Sequence, residues 1–110
     1  MDELSKIRAE INSLDEKIIK LLIQRIKLGK KIAKIKLKDN PSLKKVSKKA
    51  LERKIKNIKR EKEILRKVQA RARHKLSQKF VIALFKQIIK ETIRAEVEEI
   101  KNKYYKIKKL

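Results

Sequence analysis

Apolar residues recur every three or four positions along the first third of the chain. This spacing places them on one face of an α-helix, since 3.6 residues make one turn. The pattern predicts a helix over residues 3–38 that ends at the breaker sequence of residues 39–42, where Pro41 cannot continue a helix. The stripe consists of Leu4, Ile7, Ile11, Leu14, Ile18, Leu21, Leu28, Ile32 and Ile35.

Two further helical patterns follow the breaker. The second begins weakly at Leu43 and Val46 and continues to Ala72, and the third covers residues 78–103. Residues 74–77 predict a short connection in which Ser77 caps the third helix. With a single Gly and a single Pro in 110 residues, the composition also favours long helices. The sequence therefore predicts an all-α fold with a three-helix protomer.

The length of the first predicted helix sets a packing problem. At about 1.5 Å per residue the helix spans roughly 54 Å, whereas a compact monomer of this size has a radius of gyration of about 13 Å. The two other helices cannot cover the whole stripe. Either the chain bends sharply without a breaker, or a second copy covers the stripe, and we predict an interlocked helical homodimer.

The composition excludes several classes of function. One Gly rules out glycine-rich phosphate loops, and zero Cys rules out disulfides, thiolate metal sites and a cysteine nucleophile. A single His excludes multi-histidine metal sites. We see no apolar run long enough to span a membrane and no secretion signal, so we expect a cytoplasmic protein without membrane association.

The net charge of +22 is concentrated in the middle of the chain, where residues 41–79 carry 16 basic and 3 acidic side chains. Such a surface attracts nucleic acid, so a basic helical nucleic-acid-binding protein is an alternative function. The lysines can equally be a solvated helix face. The basic region lacks the aromatic residues on which single-stranded nucleic acids stack. A structural helical dimer without a ligand is a third interpretation.

Polar residues occupy positions where the helical stripes require apolar ones, and burying such groups is costly without a partner. Lys36 follows Arg25 by about three helical turns and therefore shares its face. Asn57 precedes Glu61 by one turn. The interrupting residues are Arg25, Glu61, Thr92 and Glu96.

Each interruption also has an ordinary structural explanation. Arg25 can set the register of a helix pair, and Glu61 can pair with a surface lysine. Thr92 can pack in a helix face, and Glu96 can belong to an acidic patch with its neighbours. Arg8, about 25 Å from Arg25 along the helix, is too far away to share a small ligand unless a second copy supplies it. Together, the interruptions suit one small polar anion.

These residues resemble the all-helical class of chorismate mutases. The segment IRAEINSLDEKIIKLLIQRIKLGKKIAKIK at 7–36 looks like the first helix of that family and contains Arg8, Arg25 and Lys36. NIKRE at 57–61 resembles the family's D-x-x-R-E segment, with Arg60 and Glu61. FVIALFKQIIKETIRAE at 80–96 is similar to its third helix, with Thr92 at a Ser/Thr position and Glu96 at a Gln/Glu position.

The resemblance implies a dimer of three-helix protomers in which Arg8 reaches the partner's site. It also implies the Claisen rearrangement of chorismate to prephenate in phenylalanine and tyrosine biosynthesis, with no metal and no cofactor. The chain departs from the common bacterial pattern at Asn57, where Asp is usual, and at Glu96, where Gln is usual. Residues 41–56 form a basic insertion, which either extends the start of the second helix or forms an extra turn. We expect a mutase-like domain over residues 1–100 and a basic tail over residues 101–110.

The resemblance also implies roles for the site residues. Arg25 and the second copy's Arg8 would bind the substrate carboxylates, with help from Thr92. Lys36 would bridge a carboxylate and the ether oxygen. Glu61, supported by Asn57 and Arg60, would bind the ring hydroxyl. Glu96 must be protonated to donate to the ether oxygen, so activity should be highest at acidic pH. Weak non-specific nucleic-acid binding is expected to coexist with this activity.

Overall fold

The computed structural model describes the backbone of residues 2–108 and the side chains of residues 2–102. It contains the helices α1 (Glu3–Asp39), α2 (Lys48–Ile55), α3 (Ile58–Ala72) and α4 (Gln78–Lys108), and a 3₁₀ helix at Pro41–Lys45. The described residues form no strand. The predicted all-α fold is confirmed. None of the described helices has a stretch long and apolar enough to cross a membrane.

The long first helix begins and ends where the sequence predicts. Asp2 caps α1, because its Oδ1 accepts a hydrogen bond from the backbone N–H of Ser5 at 2.7 Å. At the other end, the N–H of Asn40 donates to the carbonyl of Lys36, and Pro41 then ends the α-helical pattern.

The second helical pattern is divided into separate helices in the structure. The chain forms the 3₁₀ helix, then α2, then α3, because polar residues begin new helices at two points. Ser47 Oγ accepts from the N–H of Ala50 at the start of α2, and Asn57 Oδ1 accepts from the N–H of Arg60 at the start of α3. Lys56 lies between α2 and α3 with a ψ of 126°, outside the helical region. The structure therefore has four α-helices where three were predicted.

The predicted connection before the last helix is confirmed. His74 adopts a positive φ of 67°, and the N–H groups of Lys75 and Leu76 both donate to the carbonyl of Ala72. Ser77 caps α4 as predicted, accepting from the N–H of Phe80 at 3.3 Å. The α4 backbone continues five residues past the predicted end at 103. The predicted tail boundary stays a prediction, since side chains from 103 onward lie outside the described residues.

The insertion of residues 41–56 is part of the hydrophobic core. It contributes Leu43, Leu51 and Ile55 to a buried cluster at the end of the molecule where α1 and α4 also meet. The α1 and α4 members of the cluster are Ala33, Leu37, Val97 and Ile100. Lys101 on α4 additionally donates to the carbonyls of Lys44 and Val46. Buried apolar packing therefore holds the insertion against both long helices.

The first half of α1 is left uncovered by the described side chains. Between residues 2 and 24 every side chain is exposed apart from the half-buried Ser5. The apolar stripe is exposed in this region and beyond it, at Leu28, Ile32 and Ile35, and Leu21 at 63% exposure is typical of it. The predicted first helix is thus present, but the rest of the chain covers only its C-terminal part.

Candidate active site

Arg25 and Thr92 meet where α1 first contacts α4. An Nη1 donor of Arg25 lies 2.7 Å from Thr92 Oγ1, and the same hydroxyl donates to the carbonyl of Ile88 at 2.8 Å. The hydroxyl is therefore both donor and acceptor, which fixes its orientation. A guanidinium group has five N–H donors, so Arg25 keeps donors beyond the one directed at Thr92. These donors are available for a carboxylate.

Gly29 allows the two helices to approach closely at this point, and the sequence analysis missed it. A Cβ at this position would lie 2.6 Å from the side-chain methyl group of Thr92, closer than real Cβ atoms come. Any larger residue would therefore require the Thr92 side chain to shift. A signal was present, because an isolated glycine inside a helical pattern costs about 1 kcal/mol relative to alanine and therefore indicates close packing.

Lys36 and Glu96 form a second pair in the contact between α1 and α4, which is called the seam below. Lys36 Nζ lies 3.7 Å from Glu96 Oε1, and it donates to the backbone carbonyl of Ile55 at 3.3 Å. Ile55 is the last residue of α2, where unsatisfied carbonyls attract a positive charge. The insertion therefore holds the ammonium group of Lys36, which sequence patterns did not indicate.

Glu96 is the single charged residue that is buried among the described side chains, at 6% exposure. Its Oε1 has no hydrogen-bond partner there, since the 3.7 Å separation from Lys36 exceeds hydrogen-bond range. Burial raises the pKa of the Glu96 carboxyl, while the positive charge of Lys36 opposes the shift. The carboxyl group therefore retains its proton to higher pH than an ordinary glutamate.

Positive charge is concentrated around the seam. Burial lowers the pKa of Arg25, and the nearby charge of Arg60 lowers it further. The Arg25 guanidinium nevertheless remains charged at neutral pH. The neighbouring cations Arg25 and Arg60 create a local field that favours an anionic ligand.

A cavity of about 860 Å³ lies beside the seam, between α2, α3 and α4. Its walls include Arg53 and Lys56 from the insertion and Glu61 from α3, and Ile89 and Ile93 of α4 provide apolar surface. The volume falls within the range of roughly 300–1,000 Å³ typical of small-molecule sites. Of the predicted site residues, Glu61 is the one that lines this cavity.

Chain neighbours connect the seam to the cavity at three places. Thr92 of the seam precedes Ile93 of the cavity wall, and Arg60 precedes Glu61. Ile55, whose carbonyl holds Lys36, precedes Lys56. The seam and the cavity are therefore formed by neighbouring residues of the chain at these three places.

The remaining predicted residues, Asn57, Arg60 and Arg8, belong to neither the Arg25–Thr92 pair nor the Lys36–Glu96 pair, although Arg60 lies near Arg25. The Asn57 side chain caps α3, and Arg60 Nη1 lies 3.4 Å from Glu63 Oε2. Asn57 thus fixes the helix turn that carries Glu61. Arg8 lies on the exposed half of α1, away from the other site residues of its own protomer. The substrate-binding roles of these three residues stay predictions.

The chain is similar in sequence to a known protein family and to several known proteins. Residues 7–97 match the family described as chorismate mutase type II. A bifunctional chorismate mutase/prephenate dehydratase of Buchnera aphidicola subsp. Acyrthosiphon pisum is 33% identical over 95 residues, covering 86% of this chain and 22% of the relative. The protein of the same name from Aquifex aeolicus is 50% identical over 40 residues, covering 36% of this chain and 11% of the relative.

A third relative of that name, from Buchnera aphidicola subsp. Schizaphis graminum, is 31% identical over 104 residues, covering 94% of this chain. The chain spans at most 24% of the length of these relatives. No solved structure matches the chain significantly. The family match covers most of the chain, including every predicted site residue from Arg8 to Glu96, and the chain therefore belongs to the chorismate mutase type II family.

Proposed function

We propose that this chain catalyses the rearrangement of chorismate to prephenate. The observation that carries the proposal is the convergence of Arg25, Lys36, Thr92 and Glu96 on one seam between α1 and α4. Membership of the chorismate mutase type II family supports it. The proposed reaction belongs to phenylalanine and tyrosine biosynthesis.

The reaction needs positioning and electrostatic stabilisation. Within one molecule, the ether C–O bond breaks as a new C–C bond forms, so no second reactant takes part. The enzyme holds the flexible substrate in a compact conformation and stabilises the negative charge that develops on the ether oxygen. Cations beside a partly buried cavity supply both effects, since electrostatic interactions strengthen where water is excluded.

Each residue of the seam has its own role in binding the substrate or stabilising the developing charge. Arg25 binds a substrate carboxylate with its remaining donors, because a guanidinium group matches a carboxylate in bidentate geometry. Thr92 holds the Arg25 guanidinium at 2.7 Å and thereby limits its motion. Lys36 bridges a carboxylate and the ether oxygen. Protonated Glu96 donates to the same oxygen, and its Oε1 has no competing hydrogen-bond partner among the described residues.

Glu61 binds the ring hydroxyl from the cavity side. A carboxylate on an apolar wall is suited to accept a hydrogen bond from a neutral hydroxyl group. Asn57 contributes by fixing the first turn of α3, and Arg60 contributes positive charge near Arg25.

A direct assay tests the proposed reaction. We expect purified protein to accelerate the loss of chorismate absorbance and to produce prephenate well above the spontaneous rate measured with heat-denatured protein. The nucleic-acid alternative instead predicts no turnover and a DNA affinity that falls steeply with rising salt. Absence of prephenate at micromolar protein concentration would contradict the proposed function.

We further propose that the active form is a homodimer in which Arg8 completes the site of the second copy. The exposed apolar stripe on the first half of α1 supports this assembly, because soluble monomers rarely expose a continuous apolar surface of this extent. A second α1 laid along the stripe would bury it. Arg8 cannot reach Arg25 on its own helix, at about 25 Å, but the second copy can bring it there.

Mixing two inactive variants tests the shared site. Arg8→Ala and Arg25→Ala should each be nearly inactive alone. After joint unfolding and refolding, random pairing should restore about a quarter of wild-type activity, because about half the dimers are mixed and each mixed dimer has one intact site. Separately refolded variants combined afterwards are the control. Failure of joint refolding to restore activity, with both variants folded and dimeric, would place Arg8 outside the shared site.

A further inference from the structure

The insertion carries two cations that face the cavity. Arg53 is in the last turn of α2, and Lys56 follows that helix directly. Both line the cavity beside Glu61. The buried side chains of Leu51 and Ile55 anchor the same helix in the core, so the positions of the two cations are set by packing.

These cations have no anionic partner among the described residues. The ion pairs there join Lys34 to Glu99, Lys36 to Glu96, Arg60 to Glu63, and Arg94 to Glu91 and Glu98. Arg94, another cation on the cavity wall, is thus neutralised by its own helix. Arg53 and Lys56 have no such ion pair, and the acidic Glu52 and Glu61 and the lysines Lys86 and Lys90 line the cavity as well.

The cavity therefore combines an apolar surface with unpaired positive charge. Ile89, Ile93 and Leu65 supply the apolar part. This combination suits a small organic anion with a hydrocarbon ring, since the ring buries apolar area while its carboxylates meet the cations. The cavity also adjoins Lys36 through the Ile55–Lys56 peptide.

We infer that Arg53 and Lys56 form an additional anion-binding wall of the substrate site, which attracts and orients a carboxylate of chorismate. The inference rests on the proposed function. Because both side chains are exposed and lie outside the seam, they strengthen binding of substrate and transition state equally. Their removal should therefore raise KM and leave kcat nearly unchanged.

A charge-matched pair of double variants tests this inference. Arg53→Ala/Lys56→Ala removes two cations that line the cavity, and Lys49→Ala/Lys54→Ala removes two exposed cations of α2 that do not. Steady-state kinetics with chorismate should show KM raised about tenfold in the first variant and within about twofold of wild type in the second. Added salt should reduce the difference between the two variants.

Three results would overturn the inference. If KM rises equally in both double variants, net charge alone determines substrate binding. If KM is unchanged in both, Arg53 and Lys56 do not contact the substrate. A large loss of kcat in the first variant with unchanged KM would assign the pair to structure. A wild-type protein that makes no prephenate would reject the proposed function, and the inference with it. If the wild-type protein is active and the two double variants have equal KM values, the inference is rejected and the proposed function stands.

Discussion

Arg25→Ala should lower kcat/KM for chorismate by about 100- to 1,000-fold, the usual cost of deleting one preorganised donor from a transition-state site. The guanidinium is half-buried and held by Thr92, so no solvated side chain can replace it readily. The substitution should leave the fold intact, because Thr92 Oγ1 still donates to the carbonyl of Ile88. Steady-state kinetics and circular dichroism measure the two effects.

Lys27→Ala is the matched control for loss of one positive charge on the same helix. Lys27 is exposed and two residues away, so its variant should stay within about twofold of wild type. Arg25→Lys should recover only part of the lost activity, because an ammonium group cannot bind a carboxylate in bidentate geometry. Near-normal turnover of a folded Arg25→Ala variant would remove this residue from the site.

Glu96→Gln should change the pH profile more than the maximal rate. Burial raises the pKa of Glu96, so the protonated, donating form persists to higher pH than in an ordinary glutamate. Activity should be highest below that raised pKa and fall about tenfold per pH unit above it, as the donor is lost. A glutamine amide donates at every pH. The variant should therefore have a flat profile and exceed wild type at alkaline pH.

Glu99→Gln provides the control for this pH experiment. Glu99 lies on the same helix, pairs with the exposed Lys34 of α1 at 3.7 Å and has no proposed role in the reaction, so its variant should keep the wild-type profile. Measuring kcat and kcat/KM from pH 4 to 9 at constant ionic strength separates the two variants. If Glu96→Gln titrates like wild type, another group controls the pH dependence and the donor role is wrong.

Local sequence patterns predicted much of the fold. The limits of α1, the Pro41 break and the Ser77 cap depend on residues close to one another in the chain, and the structure confirms them. The division of the second helical pattern was not predicted, because Leu51, Ile55, Ile58 and Leu65 keep helical spacing across the α2–α3 break. Hydrophobic periodicity carries no information about helix caps. Asn57, a residue type favoured at the N-cap, was the local signal for the start of α3.

The polar interruptions of the stripes identified which residues the seam brings together. Arg25, Thr92 and Glu96 stood where apolar residues were due, and each contacts a seam neighbour. Their catalytic roles stay predictions. Glu61 was placed with them by the same pattern, but α3 directs it into the adjoining cavity. A stripe indicates that a helix face is apolar and cannot tell which neighbouring surface covers it.

The sequence by itself determined the helical class, the main helix limits and the set of polar residues on buried faces, because these follow from spacing within a few turns. Only the tertiary structure decided that Gly29 leaves room for the Thr92 side chain and that the carbonyl of Ile55 accepts a hydrogen bond from Lys36. It also decided that Glu96 Oε1 has no hydrogen-bond partner among the described residues. These features depend on distances between helices far apart in the chain. Such distances are set by how complete side chains pack.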